Sequence, residues 1–206
     1  MDKRAQRSRT ALLNAAIDLV SRRGTTAVPV TELADAAGVS RQLVYLQFGD
    51  RDALLVAAAT ELVTRELLDE HADDDIPAGV LATTRHFATH RSFYRAMLTG
   101  SCAHAMTRTF NQVFSPFNQR FLADRGTVAD EDTAKDLSLF MAAGAGAIIN
   151  DWLVDGPDTL DPDAAAARLL RLAYAFPGAH HEPDEPPPAA PPAAAITRDQ
   201  GRHGRA

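Results

Sequence analysis

Apolar residues recur at helical spacing along the first 176 residues, and no stretch alternates long enough to propose a strand. Leu13, Ala16, Ile17 and Val20 stand at i, i+3, i+4 and i+7 and predict a helix over about Arg7–Arg23, ended by Gly24. Two short helices follow. Thr31 is the expected cap of the first, whose inward residues are Leu33, Ala34 and Ala37. Gly38 supplies a left-handed turn, Val39 plugs the corner, and Ser40 caps the next helix, Arg41 to Gln47. Ala34 lets the two helices approach and Val44 closes the small core between them, the spacing of a helix-turn-helix.

Gly49 then breaks the chain, and Asp50 caps a longer helix over about Arg51–Glu70 with Leu54, Leu55, Ala58 and Leu62 inward. His71–Asp75 reads as a solvated acidic loop, because adjacent aspartates lack the spaced oxygen ligands of a cation site. Pro77 suits the first turn of a helix that ends near His90, and Ser92–Leu98 forms a short successor. A long helix over Cys102–Arg125 carries the stripe Met106, Phe110, Val113, Phe114, Phe117 and Phe121, and Pro116 should kink or break it. Gly126 and the acidic Asp130–Asp132 make a loop. The next helix spans about Asp132–Val154 with Leu137, Phe140, Met141, Gly144, Ile148 and Trp152 on one face. Its mid-helix glycines each cost about 1 kcal/mol relative to alanine, so close helix contact or room for a ligand should offset them. Pro162–Phe176 is the last helix. From Pro177 to residue 192 fall seven prolines with almost no large apolar side chain, a composition that predicts disorder.

Charge changes the picture next. The net charge is −6, yet residues 1–51 carry +3 and the remainder −9. A basic head on an acidic body suits a protein that meets DNA at one end and does not coat it. One cysteine, Cys102, excludes an intrachain disulfide and fits a reducing interior. No apolar run looks long enough for a membrane span and no signal segment precedes the head, so a soluble cytoplasmic protein without membrane partners is expected. Cys102 and His104 fall on opposite sides of a helix start, and no glycine-rich phosphate loop, G-x-S-x-G or H-E-x-x-H occurs. Catalytic residues, cofactors and metal ligands are therefore all expected to be none. The pair His180–His181 and His203 lack a fixed partner for a metal role.

Candidate DNA contacts lie on the second helix of the motif. Arg41 and Gln42 suit base edges, since arginine pairs with guanine and glutamine with adenine. Tyr45 and Gln47 suit phosphate, as do Thr31 at a helix start and Arg51. Arg4, Arg7 and Arg9 also lie where phosphates come within reach. In the body, His86, His90, Phe93, Met97, Met106, Phe110, Phe114, Phe117, Phe140 and Met141 form a Met/Phe-rich group with polar markers, the makeup of a small-molecule pocket. Gly144, Ile148, Trp152, Leu169 and Leu172 belong to two late helices with more apolar surface than one monomer core needs. They are candidates for a dimer interface.

Val39-Ser40-Arg41, Tyr45, Phe48, Arg51 and Leu54-Leu55, with Arg9, Leu12-Leu13, Ala15-Ala16 and Gly24 upstream, resemble the signature of TetR/AcrR-type transcriptional regulators over about residues 7–60. Leu46 and Gln47 stand where that family usually has an aromatic residue and a histidine, and Gln42 replaces a small residue. The resemblance implies an all-α fold: an N-terminal three-helix helix-turn-helix DNA-binding domain (1–50), then a C-terminal helical ligand-binding and dimerisation domain (51–176) and a Pro/Ala-rich tail (177–206). The last two helices would pair with their mates as a four-helix bundle. It implies a ligand-responsive regulator, a repressor that binds a pseudo-palindromic double-stranded DNA operator as a homodimer and is released by a small, largely apolar effector. The competing expectation is a helical small-molecule-binding or interaction protein whose head has lost operator affinity.

Overall fold

The computed structural model describes residues 3–68, 75–126 and 130–175, and every regular element among them is helical. The head comprises α1 (Lys3–Arg23), α2 (Val30–Ala36) and α3 (Arg41–Phe48), with α4 (Arg51–Val63) closing it from below. Its core is Leu12, Leu13, Ala16, Val20, Val28, Leu33, Ala34, Val44, Leu54 and Leu55, all buried. The local signals act as the sequence implies. Gly38 turns the chain at φ 65°, Ser40 Oγ accepts from the Leu43 N–H at 3.3 Å, and Asp50 Oδ1 accepts from the Ala53 N–H at 2.7 Å. Thr31 is not a cap. α2 begins one residue earlier with Pro29 in the cap position, where a residue of fixed extended backbone starts the helix without a side-chain bond.

The body comprises α5 (Ile76–Thr89), α6 (Arg91–Thr99), α7 (Ala103–Asp124), α8 (Glu131–Asp155) and α9 (Pro162–Ala175). The expected single helix to Glu70 divides: α4 stops at Val63 and the chain continues as a π-helical turn, Thr64–Leu68. Residues 69–74, most of the acidic loop, lie outside the described residues, as does the tail from 176; Asp75 caps α5 through the Ala78 N–H at 2.9 Å. α7 runs unbroken through Pro116, so the expected break does not occur; packing along α8 holds the helix on both sides of the proline. Those two helices are antiparallel, with Ser115 Oγ 3.0 Å from Ser138 Oγ and Asn111 near Gly146. α5 packs on α9, α6 on α8, and α1 on both α4 and α6, which seats the head on the body.

One expectation about α8 needs correction. Leu137–Val154 holds one charge, Asp151, and α8 is long and apolar enough by length and composition to cross a membrane. Among the described residues nothing outside the helix's own backbone comes within 4 Å of where a Gly144 Cβ would stand, whereas Ala142 is buried and a Cβ at Gly146 would meet Asn111 Oδ1 at 4.0 Å, so Gly144 has room beside it while its neighbours pack.

Candidate functional site

α3 projects from the head because only one side of its two turns is needed for the core. Val44 is buried and Leu43 half-buried, while Arg41, Gln42, Tyr45 and Leu46 face outward, Tyr45 at 52% and Leu46 at 81% exposure. Thr31 is exposed in the first turn of α2. Gln47 is half-buried, with Oε1 enclosed and no hydrogen-bond partner. A carbonyl oxygen and a phosphate are both acceptors, so only its amide nitrogen suits a phosphate. Arg9 lies over the Phe48 ring at 4.7 Å, a contact that ties α1 to the end of α3. Arg51 faces the body, with its guanidinium on Asp52 at 2.7 Å and Ser101 Oγ at 3.2 Å. Burial alone would raise the Asp52 carboxyl, but hydrogen bonds from Ser101 and Arg51 hold it below its ordinary value.

Eight of the ten expected pocket residues join the main core or the ring contacts against it. Phe93, Met97 and Met106 are buried in the main core, Met141 is half-buried, and Phe140 lies on the outside at 63% exposure. Phe117, Phe114 and Phe110, three of the ten, form with Phe87 and Tyr94 a column of rings 4.7–6.5 Å apart, leading inward from the partly exposed Phe117. A cleft of about 230 Å³ lies elsewhere, between α8 and α9, lined by Ile148, Ile149, Trp152, Ala165, Arg168 and Leu169 among others. Three of the expected dimer residues thus line a cleft.

At the inner end of the column stands a polar cluster. His86 Nε2 is 2.8 Å from the Tyr94 hydroxyl, and His90 Nε2 is 2.7 Å from Glu66 Oε2. Burial pushes the His86 imidazole down to about 4 and raises the Tyr94 phenol, so both are neutral at ordinary pH. Burial opposes ionisation of Glu66, yet hydrogen bonds from Arg65 and His90 hold its pKa below the usual carboxylate range. Glu66 escaped the sequence reading. The i, i+4 spacing of His86 and His90 was the only local signal for the cluster, and Glu66 reaches it through a π turn that periodicity does not reveal.

Residues 12–58 match the family model for bacterial regulatory proteins, tetR family. The head is that of the TetR family. Similar proteins include HTH-type transcriptional regulator AlkX of Mycobacterium tuberculosis, 34% identical over 92 residues, 45% of this chain and 38% of that protein. HTH-type transcriptional regulator BetI of Rhizobium meliloti is 38% identical over 76 residues, 37% and 35% of the two chains. The chain thus spans little more than a third of the length of these relatives. Among solved structures, Thermus thermophilus FadR, a TetR-family transcriptional repressor in complex with lauroyl-CoA, superposes with a TM-score of 0.60 at 18% identity, covering 86% of this chain and 99% of that one. NalD of Pseudomonas aeruginosa, the secondary repressor of the MexAB-OprM multidrug efflux pump, gives 0.55 at 21%, covering 87% and 100%. These likenesses give the fold: a TetR-type head on a helical body.

Proposed function

We propose that this TetR-type chain is a transcriptional regulator, a repressor that binds a pseudo-palindromic operator as a homodimer in the cytoplasm and is released by a small, largely apolar effector. The observation that carries the reading is the outward face of α3, with Arg41, Gln42, Tyr45 and Leu46 exposed on a head whose sequence matches the tetR family. A helix of this kind, held by α2 and α4 and projecting from a small core, suits the major groove. Thr31, close by on α2, supports a phosphate contact.

Two copies are needed to read two half-sites, and α8 and α9 supply the matching surface. Leu139, Phe140, Leu172 and Tyr174 are exposed, and Gly144 has open space beside it. An apolar face of this size on one monomer supports a second copy of the chain as its cover. The ring column from Phe117 to Tyr94 supports an effector of apolar character.

The alternative is a helical binding or interaction protein without operator affinity. Leu46 in the open favours it, since an apolar side chain there offers phosphate no donor from α3. Selection of bound sites from random duplexes separates the two. An enriched pseudo-palindrome supports the repressor; recovery of no sequence above background leaves the alternative.

A further inference from the structure

The polar cluster at the junction of the π turn and α5 has the composition and spacing of a metal site. Glu66, His86 and His90 each offer one ligand atom, and the three atoms lie within 4.8 Å of one another. We propose that these three residues bind a divalent transition-metal ion of the zinc class, and that the ion fastens the π turn to α5.

The atoms are apportioned as such a site requires. Glu66 Oε1 accepts from Arg65 at 2.8 Å, which leaves Oε2 for the histidines. Oε2 is 2.7 Å from His90 Nε2 and 3.8 Å from His86 Nδ1. Ligands about 2.0–2.1 Å from a tetrahedral ion stand roughly 3.3 Å apart. The Glu66–His90 separation therefore opens by about half an ångström and the Glu66–His86 separation closes by as much, while the two histidine nitrogens, within 4.8 Å of each other, close by up to about 1.5 Å through χ rotation of the partly exposed His90. His86 Nε2 meets the Tyr94 hydroxyl. With Nε2–H donating there, Nδ1 carries the lone pair toward the ion, the support that metal-bound histidines commonly have. Tyr94 is itself fully buried among Phe87, Phe93 and Phe110, so this orienting group does not move freely. Imidazole with carboxylate favours zinc, nickel or cobalt over magnesium or calcium. Three protein ligands leave a fourth position for water or for an effector atom at the end of the ring column.

The site lies where an ion affects the head. Glu66 belongs to the π turn that continues α4, and α4 follows the reading helix α3 directly across Gly49. Single π turns inside helices often mark functional positions. Fastening this turn to α5 fixes the far end of the helix that joins the head to the body. The effect on DNA binding rests on the repressor reading; the metal site does not.

The test uses the full chain with His180→Ala and His181→Ala, which removes the tail histidine pair, stripped with chelator and titrated with Zn²⁺ against a chromogenic competitor. One Zn²⁺ per chain is expected, with affinity at least tenfold weaker in Glu66→Gln and in His90→Ala. His86 is too buried for its loss to be a clean test, so these two partly exposed residues carry it; unchanged melting of the metal-free variants verifies the fold. Co²⁺ in place of Zn²⁺ should give visible d–d bands that both variants lose. No tight equivalent, or one that both variants keep unaltered, overturns the site. Zn²⁺ that binds as expected yet leaves affinity for a selected operator unchanged overturns the regulatory half alone. Failure to select any operator counts against the repressor reading and leaves the metal titration standing.

Discussion

Gly100 lies against Thr26, so close that a Cβ on the glycine would overlap the threonine hydroxyl and come within 2.9 Å of the Ala96 carbonyl oxygen. The contact joins the end of α6 to the loop between α1 and α2, and so the body to the head. Arg51 on Ser101 and Cys102 Sγ, 4.0 Å from the Asp52 carbonyl oxygen, continue the same seam. Thr26 is buried. Gly100→Ala should therefore destabilise the chain by about 1–3 kcal/mol through overpacking. Thr26→Ala in the same chain should recover part of that loss, a coupling that a double-mutant cycle in thermal or urea denaturation measures. Additive effects would mean that the two residues do not share the seam.

Arg91 closes the opposite end of the body. From the start of α6 its guanidinium donates to the carbonyls of Leu153, Gly156, Pro157 and Asp158 at 2.6–3.1 Å, where α8 ends and its last carbonyls lack helical partners. A cation at a helix C-terminus also meets the favourable end of the dipole. Arg91→Ala should cost about 1.5–3 kcal/mol, and Arg91→Lys should restore only part, because an ammonium cannot span four carbonyls as the planar fork does. Urea denaturation with an unchanged midpoint for the alanine variant would refute the clamp.

Cys102, the only cysteine in the sequence, is fully buried at the head–body seam. Burial first, and the nearby Asp52 carboxylate next, raise its thiol above the ordinary value. The thiolate is the reactive form, so at pH 8 less of it is present than on a free cysteine. Disulfide-reagent labelling of the folded chain should be many times slower than in urea. It should quicken in Gly100→Ala if that change opens the seam. Labelling at equal rates in both states would mean that the seam opens readily in the native protein.

The parts of this fold that were legible in sequence are those fixed by neighbours in the chain. Gly38, Ser40 and Asp50 act within four residues of themselves, and the head follows from them together with the spacing of Leu33, Val44 and Leu54. The parts that were not legible depend on distant residues. Periodicity places Phe140 on the same face as Met141, yet Phe140 turns outward because α7 covers only one side of α8. Pro116 reads as a kink or a break, yet α7 continues as one helix with α8 packed alongside. Glu66 carries no motif; an extra residue in its turn and two histidines some twenty positions later make it part of a cluster. Leu46 reads as a departure from a family pattern, whereas its exposure makes it a surface that a partner can touch.

The apolar face of α8 and α9 yields a prediction about assembly. Phe140→Asp or Leu172→Asp puts a charge on a surface already exposed in the monomer, so neither should unfold the chain. Each should shift a dimer toward monomer in sedimentation at micromolar concentration, with dissociation at least tenfold easier. The variants should retain helical circular dichroism. A dimer unaffected by both would have to use another face.

The head gives the sharpest expectation, because three exposed side chains of α3 differ in chemistry. Arg41 carries a charge, Gln42 is polar and neutral, and Leu46 is apolar. If Arg41 reads a guanine edge, Arg41→Ala should cost about 1–3 kcal/mol and relax preference at one position per half-site. If it meets phosphate instead, affinity should fall alike on all duplexes and the salt slope should shrink by about one unit. Gln42→Ala should alter sequence preference and leave the salt slope alone. Leu46 can touch the methyl group of thymine but can bond neither phosphate nor a base edge. Leu46→Ala should therefore weaken the preference for thymine at one position, without any salt effect. Arg7→Ala is the control: an exposed cation in the first turns of α1 should add affinity without sequence choice. The measurement is binding to the selected operator and its single-base variants at two salt concentrations. Arg41, Gln42 and Leu46 variants that bind every duplex as the parent does would show that α3 is not the reading helix, and the repressor would lose the face on which it depends.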